Sequence, residues 1–168
     1  MRLLLRFCLL ITLLVLSGCG FHLRGEVGMP FASLYLDARG LQSPFINELR
    51  RTLLLNKVRL TERAEEAEVV LHIASEIVDK QILTLAGTGR VNEFQLRHRV
   101  ALHAYDQQKN DWIPADELLL YRNFSYDDTK ILAKGAEEEL LYQSMRNDMV
   151  QQILRRLSRA HPIPPAEE

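Results

Sequence analysis

The sequence has 168 residues, of which 47% are apolar, 26% charged and 7% aromatic: enough for one domain with a real core, too little for two large ones. Its 21 Lys and Arg side chains stand against 22 Asp and Glu, a formal charge of -1. That balance excludes a global basic field of the nucleic-acid-binding kind, so an anionic partner has to be met by a local patch.

The first stretch reads as a leader, residues 1–18. Arg2 and Arg6 precede an apolar run from Phe7 to Leu16, followed by Ser17, Gly18 and Cys19. This is a signal-peptide layout, shorter than the roughly 20 apolar residues that cross a bilayer. Leu16-Ser17-Gly18-Cys19 resembles the bacterial lipobox, which implies cleavage before Cys19, a diacylglyceryl thioether on its sulfur and a third acyl chain on the new amino group. At about 0.8 kcal/mol per buried methylene, three chains anchor a protein essentially permanently. Gly20, where such lipoproteins carry Asp for inner-membrane retention, favours the periplasmic face of the outer membrane. Loss of Arg2 and Arg6 leaves a mildly acidic mature domain. Loss of Cys8 and acylation of Cys19 leave no pair to oxidise, so no disulfide is expected.

Residues 19–160 read as a single α+β domain and 161–168 as a Pro-rich tail. Leu34 to Asp37 alternates like a brief strand before the turn Ala38-Arg39-Gly40. Ser43 before Pro44 predicts a capped helix running to about Asn56, with Ile46, Leu49 and Leu53 on its apolar stripe. Arg63 to Glu68 reads as a solvated connector. Glu68 to Leu85 predicts a long strand with Val69, Leu71, Ile73 and Ile77 on one face and His72, Glu76 and Lys80 on the other. After the turn residues Ala86 to Gly89, a second strand places Leu96, His98, Val100, Leu102 and Ala104 together, opposite Gln95, Arg97, Arg99, His103 and Tyr105. Leu118 to Tyr126 predicts a last strand, packed on both faces. Leu141, Met145, Met149, Ile153 and Leu157 define a long amphipathic helix, ended by Pro162, Pro164 and Pro165. The expected fold is a sheet of about four strands, largely antiparallel or mixed, with two helices packed on one face.

Catalytic chemistry finds no foothold in these residues. No serine sits in a Gly-x-Ser-x-Gly elbow and no free cysteine survives processing. His98 and His103 are five apart on one strand, on opposite faces, and cannot form a local metal pair. Gly87-Thr88-Gly89 lacks the Gly-Lys-Ser/Thr ending of a phosphate loop and reads as a hairpin turn. Glu137, Glu138 and Glu139 read as the acidic first turn of the last helix. What remains is a basic set: Arg90 beside the turn, Arg122 on the last strand, and Lys130 and Lys134 before the final helix. If the hairpin tip and the Lys130–Lys134 loop are neighbours, they suit a phosphorylated amphiphile.

Cys19-Gly20-Phe21-His22-Leu23-Arg24-Gly25 resembles the start of the mature LPS-assembly lipoprotein family LptE. The resemblance continues in Glu93-Phe94-Gln95-Leu96, Tyr121-Arg122-Asn123-Phe124 and Leu132-Ala133-Lys134, in the family's order. It implies a non-enzymatic lipoprotein, without cofactor, that plugs the outer-membrane β-barrel LptD as a heterodimer, assists its assembly and helps deliver lipopolysaccharide to the cell surface. Lys134 aligns with a basic position that the family uses for lipopolysaccharide. The partner position on the hairpin falls near Gly87, a departure for which Arg90 is the shifted substitute. Arg97, Arg99, His103 and Tyr105 suit a wet polar barrel wall. The alternative is a generic outer-membrane lipoprotein scaffold that binds no lipopolysaccharide.

Overall fold

The computed structural model describes residues 28–87 and 89–164. The leader, Cys19, the opening block of the family resemblance, Thr88 and Pro165 lie outside the described residues.

Ser43 starts the first helix as its spacing predicts: its hydroxyl accepts the Ile46 amide at 3.2 Å, and Pro44 occupies the first turn, where a missing N–H costs nothing. This helix, α1, spans Pro44–Leu55 and buries Phe45, Ile46, Leu49 and Leu53. Before it lies β1 (Ser33–Asp37), and after it the two-residue β2 (Arg59–Leu60), an element too short to carry a pattern. Three long strands follow, β3 (Val69–Leu85), β4 (Val91–Asp106) and β5 (Asp111–Ser125), and then α2 (Ile131–Arg159). The charged connector is a short 3-10 turn, Ala64–Glu66, exposed as expected.

The five strands form one mixed sheet in the order β2-β1-β3-β4-β5. β1 runs parallel to both neighbours, and β3, β4 and β5 form an antiparallel meander. Both helices cover one face. Phe45, Leu49 and Leu53 of α1 and Met149, Ile153 and Leu157 of α2 pack with Leu34, Leu71, Ile73, Val100 and Leu102 in one buried cluster. β2 pairs with β1, and β1 only with the first residues of β3, so the meander projects beyond this core. The projection carries its own small cluster of Leu96, Phe124 and Met145. Among the described residues β5 is an edge strand, and along its free side only Asp111 is paired, through a two-way backbone bridge to Ile163 at 3.0 and 2.8 Å.

Four expectations change. A bulge at Ala74 inserts one unpaired residue between Ile73↔Leu102 and Ser75↔Ala101, which reverses the facing from Ser75 to Ile82, where the register shifts again. Ile77 therefore leaves the core face and is 44% exposed, while Glu76 and Lys80 turn inward, opposite Val100 and Leu96. β5 begins seven residues earlier than its apolar run, because the tight turn after Asp106 starts the pairing at Asp111. Leu119 and Tyr121 on its outer face are exposed rather than packed. Finally, α2 starts at Ile131, so Glu137, Glu138 and Glu139 sit inside the helix and are bound by side chains: Lys134, Lys80 and Arg146 respectively.

Candidate functional site

The far end of the meander is closed by a reverse turn. Ala86 N–H donates to Arg90 O at 2.8 Å and Gly89 N–H to Ala86 O at 2.9 Å, with Gly89 at φ +79, a conformation that a side chain would strain. Arg90 leaves this turn beside the segment that follows β5: its Nη2 is 3.3 Å from Asp128 Oδ2. Two residues on, Asn92 O accepts the Tyr126 amide at 2.9 Å. The condition set by the sequence is thus met, and the hairpin tip and the loop before α2 are neighbours.

The loop is shaped by Asp127, whose Oδ1 accepts both the hydroxyl and the amide of Thr129, at 2.7 and 3.0 Å. Those two bonds, hydroxyl first, hold its carboxyl below the usual carboxylate range. Lys130 Nζ lies 3.6 Å from the other oxygen of the same group. In the first turn of α2, Lys134 donates to Ser125 Oγ at 3.2 Å and to Glu137 Oε2 at 2.8 Å. Its side chain is 16% exposed, laid along the end of β5 with its ammonium at the rim. Arg90, Lys130 and Lys134 are thus assembled at one end of the molecule. Arg122 stands apart. It points under α2 to Asp148, at 2.6 Å, fourteen residues or about 21 Å along the helix from Lys134.

Each of these cations already has a carboxylate neighbour, and at this exposure such pairs are weak and screened by salt. Apolar side chains share this end. Leu132 is 91% exposed, and Ile82, Leu85 and Ile131 are also largely exposed. Exposed aliphatic groups beside exchangeable cations make a surface suited to an amphiphile with an anionic head.

Sequence reasoning missed two groups. Lys80, turned inward by the bulge, donates to Glu138 Oε2 at 2.8 Å and lies 4.8 Å from the centre of the Phe94 ring. No period-two pattern could show this, since the bulge reverses the facing. The second is a half-buried trio around His98: Glu76 Oε1 lies 3.0 Å from His98 Nε2, and Glu76 Oε2 accepts the Ser43 hydroxyl. Phe45 packs edge-on against the imidazole at 5.3 Å. Serine and histidine both bind the carboxylate and not each other, so the trio ties α1 to β3 and β4 rather than activating the hydroxyl. Among the described residues no cluster of three or more His, Cys, Asp or Glu could hold a metal ion.

The family model described as LptE, lipopolysaccharide-assembly, matches residues 30–157. A protein named LPS-assembly lipoprotein LptE from Pectobacterium atrosepticum is 27% identical over 150 residues, covering 88% of this chain and 80% of its own. One of the same name from Yersinia pestis is 30% identical over 159 residues, covering 90% and 73%. Among solved structures, lipoprotein B from Nitrosomonas europaea is 37% identical with a TM-score of 0.72, covering 83% of this chain and 90% of its own. A minor lipoprotein from Acinetobacter baumannii, 24% identical, shares the fold at a TM-score of 0.65 over 82% of this chain and all of its own. The match spans α1, all five strands, the assembled basic end and α2 up to its last two residues, and the chain belongs to the LptE lipopolysaccharide-assembly family.

Proposed function

We propose that this is an outer-membrane lipoprotein, anchored through Cys19 at the periplasmic face, that fills the LptD β-barrel as its heterodimer partner and binds lipopolysaccharide non-covalently as it passes to the cell surface. It performs no covalent chemistry. The observation that carries the lipid-binding reading is the meeting of the hairpin tip with the loop before α2, which sets Arg90, Lys130 and Lys134 beside exposed Leu85 and Leu132. Arg122 flanks this surface further along β5. A phosphate competes for these cations with Asp128, Asp127 and Glu137, and because those pairs are weak the exchange is reversible, as flux demands. The same cations compete with metal ions that bridge neighbouring phosphates in a lipopolysaccharide aggregate.

For the barrel contact, the sheet face away from the helices is the favoured surface. It carries cross-strand rows Ile77–Arg99–Leu119 and Asp79–Arg97–Tyr121, with His103 and Tyr105 nearer the core end. The Arg99 Nε is buried without a hydrogen-bond acceptor, 3.7 Å from Glu117, and a partner's carbonyl or carboxylate could supply one. The full pairing of the basic end favours a second reading, a scaffold that seats the barrel without binding lipid.

The test is a pull-down of the full chain from outer membranes, followed by lipopolysaccharide binding to wild type and Lys134→Asp. Stoichiometric LptD with a loss of about tenfold in lipopolysaccharide affinity for the variant is expected. LptD recovery with unchanged lipid affinity leaves the scaffold reading. Failure to recover LptD, with Cys19 acylated, rejects the plug.

A further inference from the structure

At the opposite end of the molecule a cleft of about 610 Å³ lies between the last turns of α2 and the start of β5. One wall is apolar, built from Trp112, Ile113 and Pro114. The other carries Arg155, Arg159 and His161, whose side chains have no ion pair or hydrogen bond among the described residues; a third arginine, Arg156, is held by Asp116. This contrasts with the hairpin-tip end, where each cation has a carboxylate beside it. Arginines in the last turn suit the helix dipole. The dipole does not account for a concave site with an indole on its far wall. The carboxylates of Glu65, Glu66 and Glu68, with Arg59 among them, line a separate groove that shares only Trp112 with this one.

The described chain also begins here. Phe31 packs edge-on against Trp112 with ring centres 5.6 Å apart, and Gly28 is nine residues after Cys19. Nine residues reach at most about 32 Å, so an anchor on Cys19 keeps this end of the domain within that distance of the bilayer surface.

We propose that the cleft binds the headgroup of an anionic glycerophospholipid from the leaflet that holds the anchor. Arg155 and Arg159 take the phosphate oxygens, and Trp112 and Pro114 lie against the glycerol and the first methylenes. The contact fixes the orientation of the domain at the membrane, which a flexible anchor alone does not. It rests on the anchoring reading of Cys19 and is independent of the lipopolysaccharide surface at the other end.

Trp112 is the only tryptophan, so its emission reports the cleft directly. The detergent-purified full chain is titrated with dihexanoylphosphatidylglycerol, dihexanoylphosphatidylcholine and inorganic phosphate. Saturable binding of the phosphatidylglycerol is expected, about tenfold tighter than either comparison. The variant Arg155→Gln/Arg159→Gln is expected to lose about tenfold in that affinity with unchanged far-ultraviolet dichroism, while Lys134→Asp binds as wild type. Equal binding of phosphatidylcholine, or of phosphate alone, overturns the lipid assignment, as does a double variant that binds normally. The mass of the N-terminal peptide reports separately whether Cys19 is acylated, so loss of the anchoring reading is distinguishable from loss of the cleft.

Discussion

Asp106 shows how one side chain can organise a turn. It is buried where β4 ends and accepts four hydrogen bonds: from the Gln108 and Asn110 amides, the Asn110 side chain and the Trp112 indole, at 2.9 to 3.3 Å. Burial pushes its carboxyl up, but the bonds from Asn110, Trp112 and Gln108 together outweigh it and hold the group below the ordinary carboxylate value. A lowered folded pKa gives stability that is complete above the unfolded pKa, about 3.9, and is lost as pH falls through the folded value. Asp106→Ala should therefore cost about 1–3 kcal/mol in urea unfolding at pH 7. The gap between variant and wild type should be flat from pH 8 to 5 and narrow below about 4. A gap that instead grows on acidification would show that these bonds do not favour the charged form. Such a role was hidden in the sequence, where Asp106 to Asp111 shows only polar turn composition.

At the level of elements, what repeats was legible and what breaks a repeat was not. The capped helix after Ser43, the alternation of β4 and the stripe of α2 all follow from periodic burial, because each packs one face against a continuous core. β2 has too few residues to show a period, and the first turns of α2 lack the stripe because Ile131 and Leu132 face solvent. The basic end was readable as residue types, and Lys134 also from the family resemblance. Its assembly depended on a loop geometry fixed by Asp127, and the place of Lys80 on the bulge. That bulge makes a specific forecast. Deleting Ala74 leaves Ile73↔Leu102 and Ser75↔Ala101 adjacent with every other residue on its present face, so the variant should stay folded and cooperative in thermal unfolding. Deleting Val78 should destabilise far more, since the strand beyond it must turn Asp79 inward and take Lys80 from Glu138. Equal loss from both deletions would mean that the bulge itself, through the twist it adds, is required.

On the scale of the whole molecule, the helices occupy one side of the sheet and leave the other as a broad surface of mixed charge and aliphatic groups. Arg99 stands near its middle, bracketed by Ile77 and Leu119. If this face meets the barrel wall, Arg99→Glu should reduce the LptD recovered with the chain by about tenfold, through a buried like-charge or unpaired contact, while the unfolding midpoint of the isolated protein hardly moves. Unchanged recovery would direct attention to the helix side. A different consequence follows from the free side of β5. Among the described residues, fourteen of its fifteen have no backbone partner there, an open template on which a second copy can pair. Pro114 and the charged side chains of Asp116, Glu117 and Arg122 make that pairing poor in many registers, but they do not close the edge. If the chain is the barrel's plug, as proposed, molecules made in excess of the barrel would carry a standing tendency to aggregate, and matched synthesis of the two would become a matter of solubility as well as of supply.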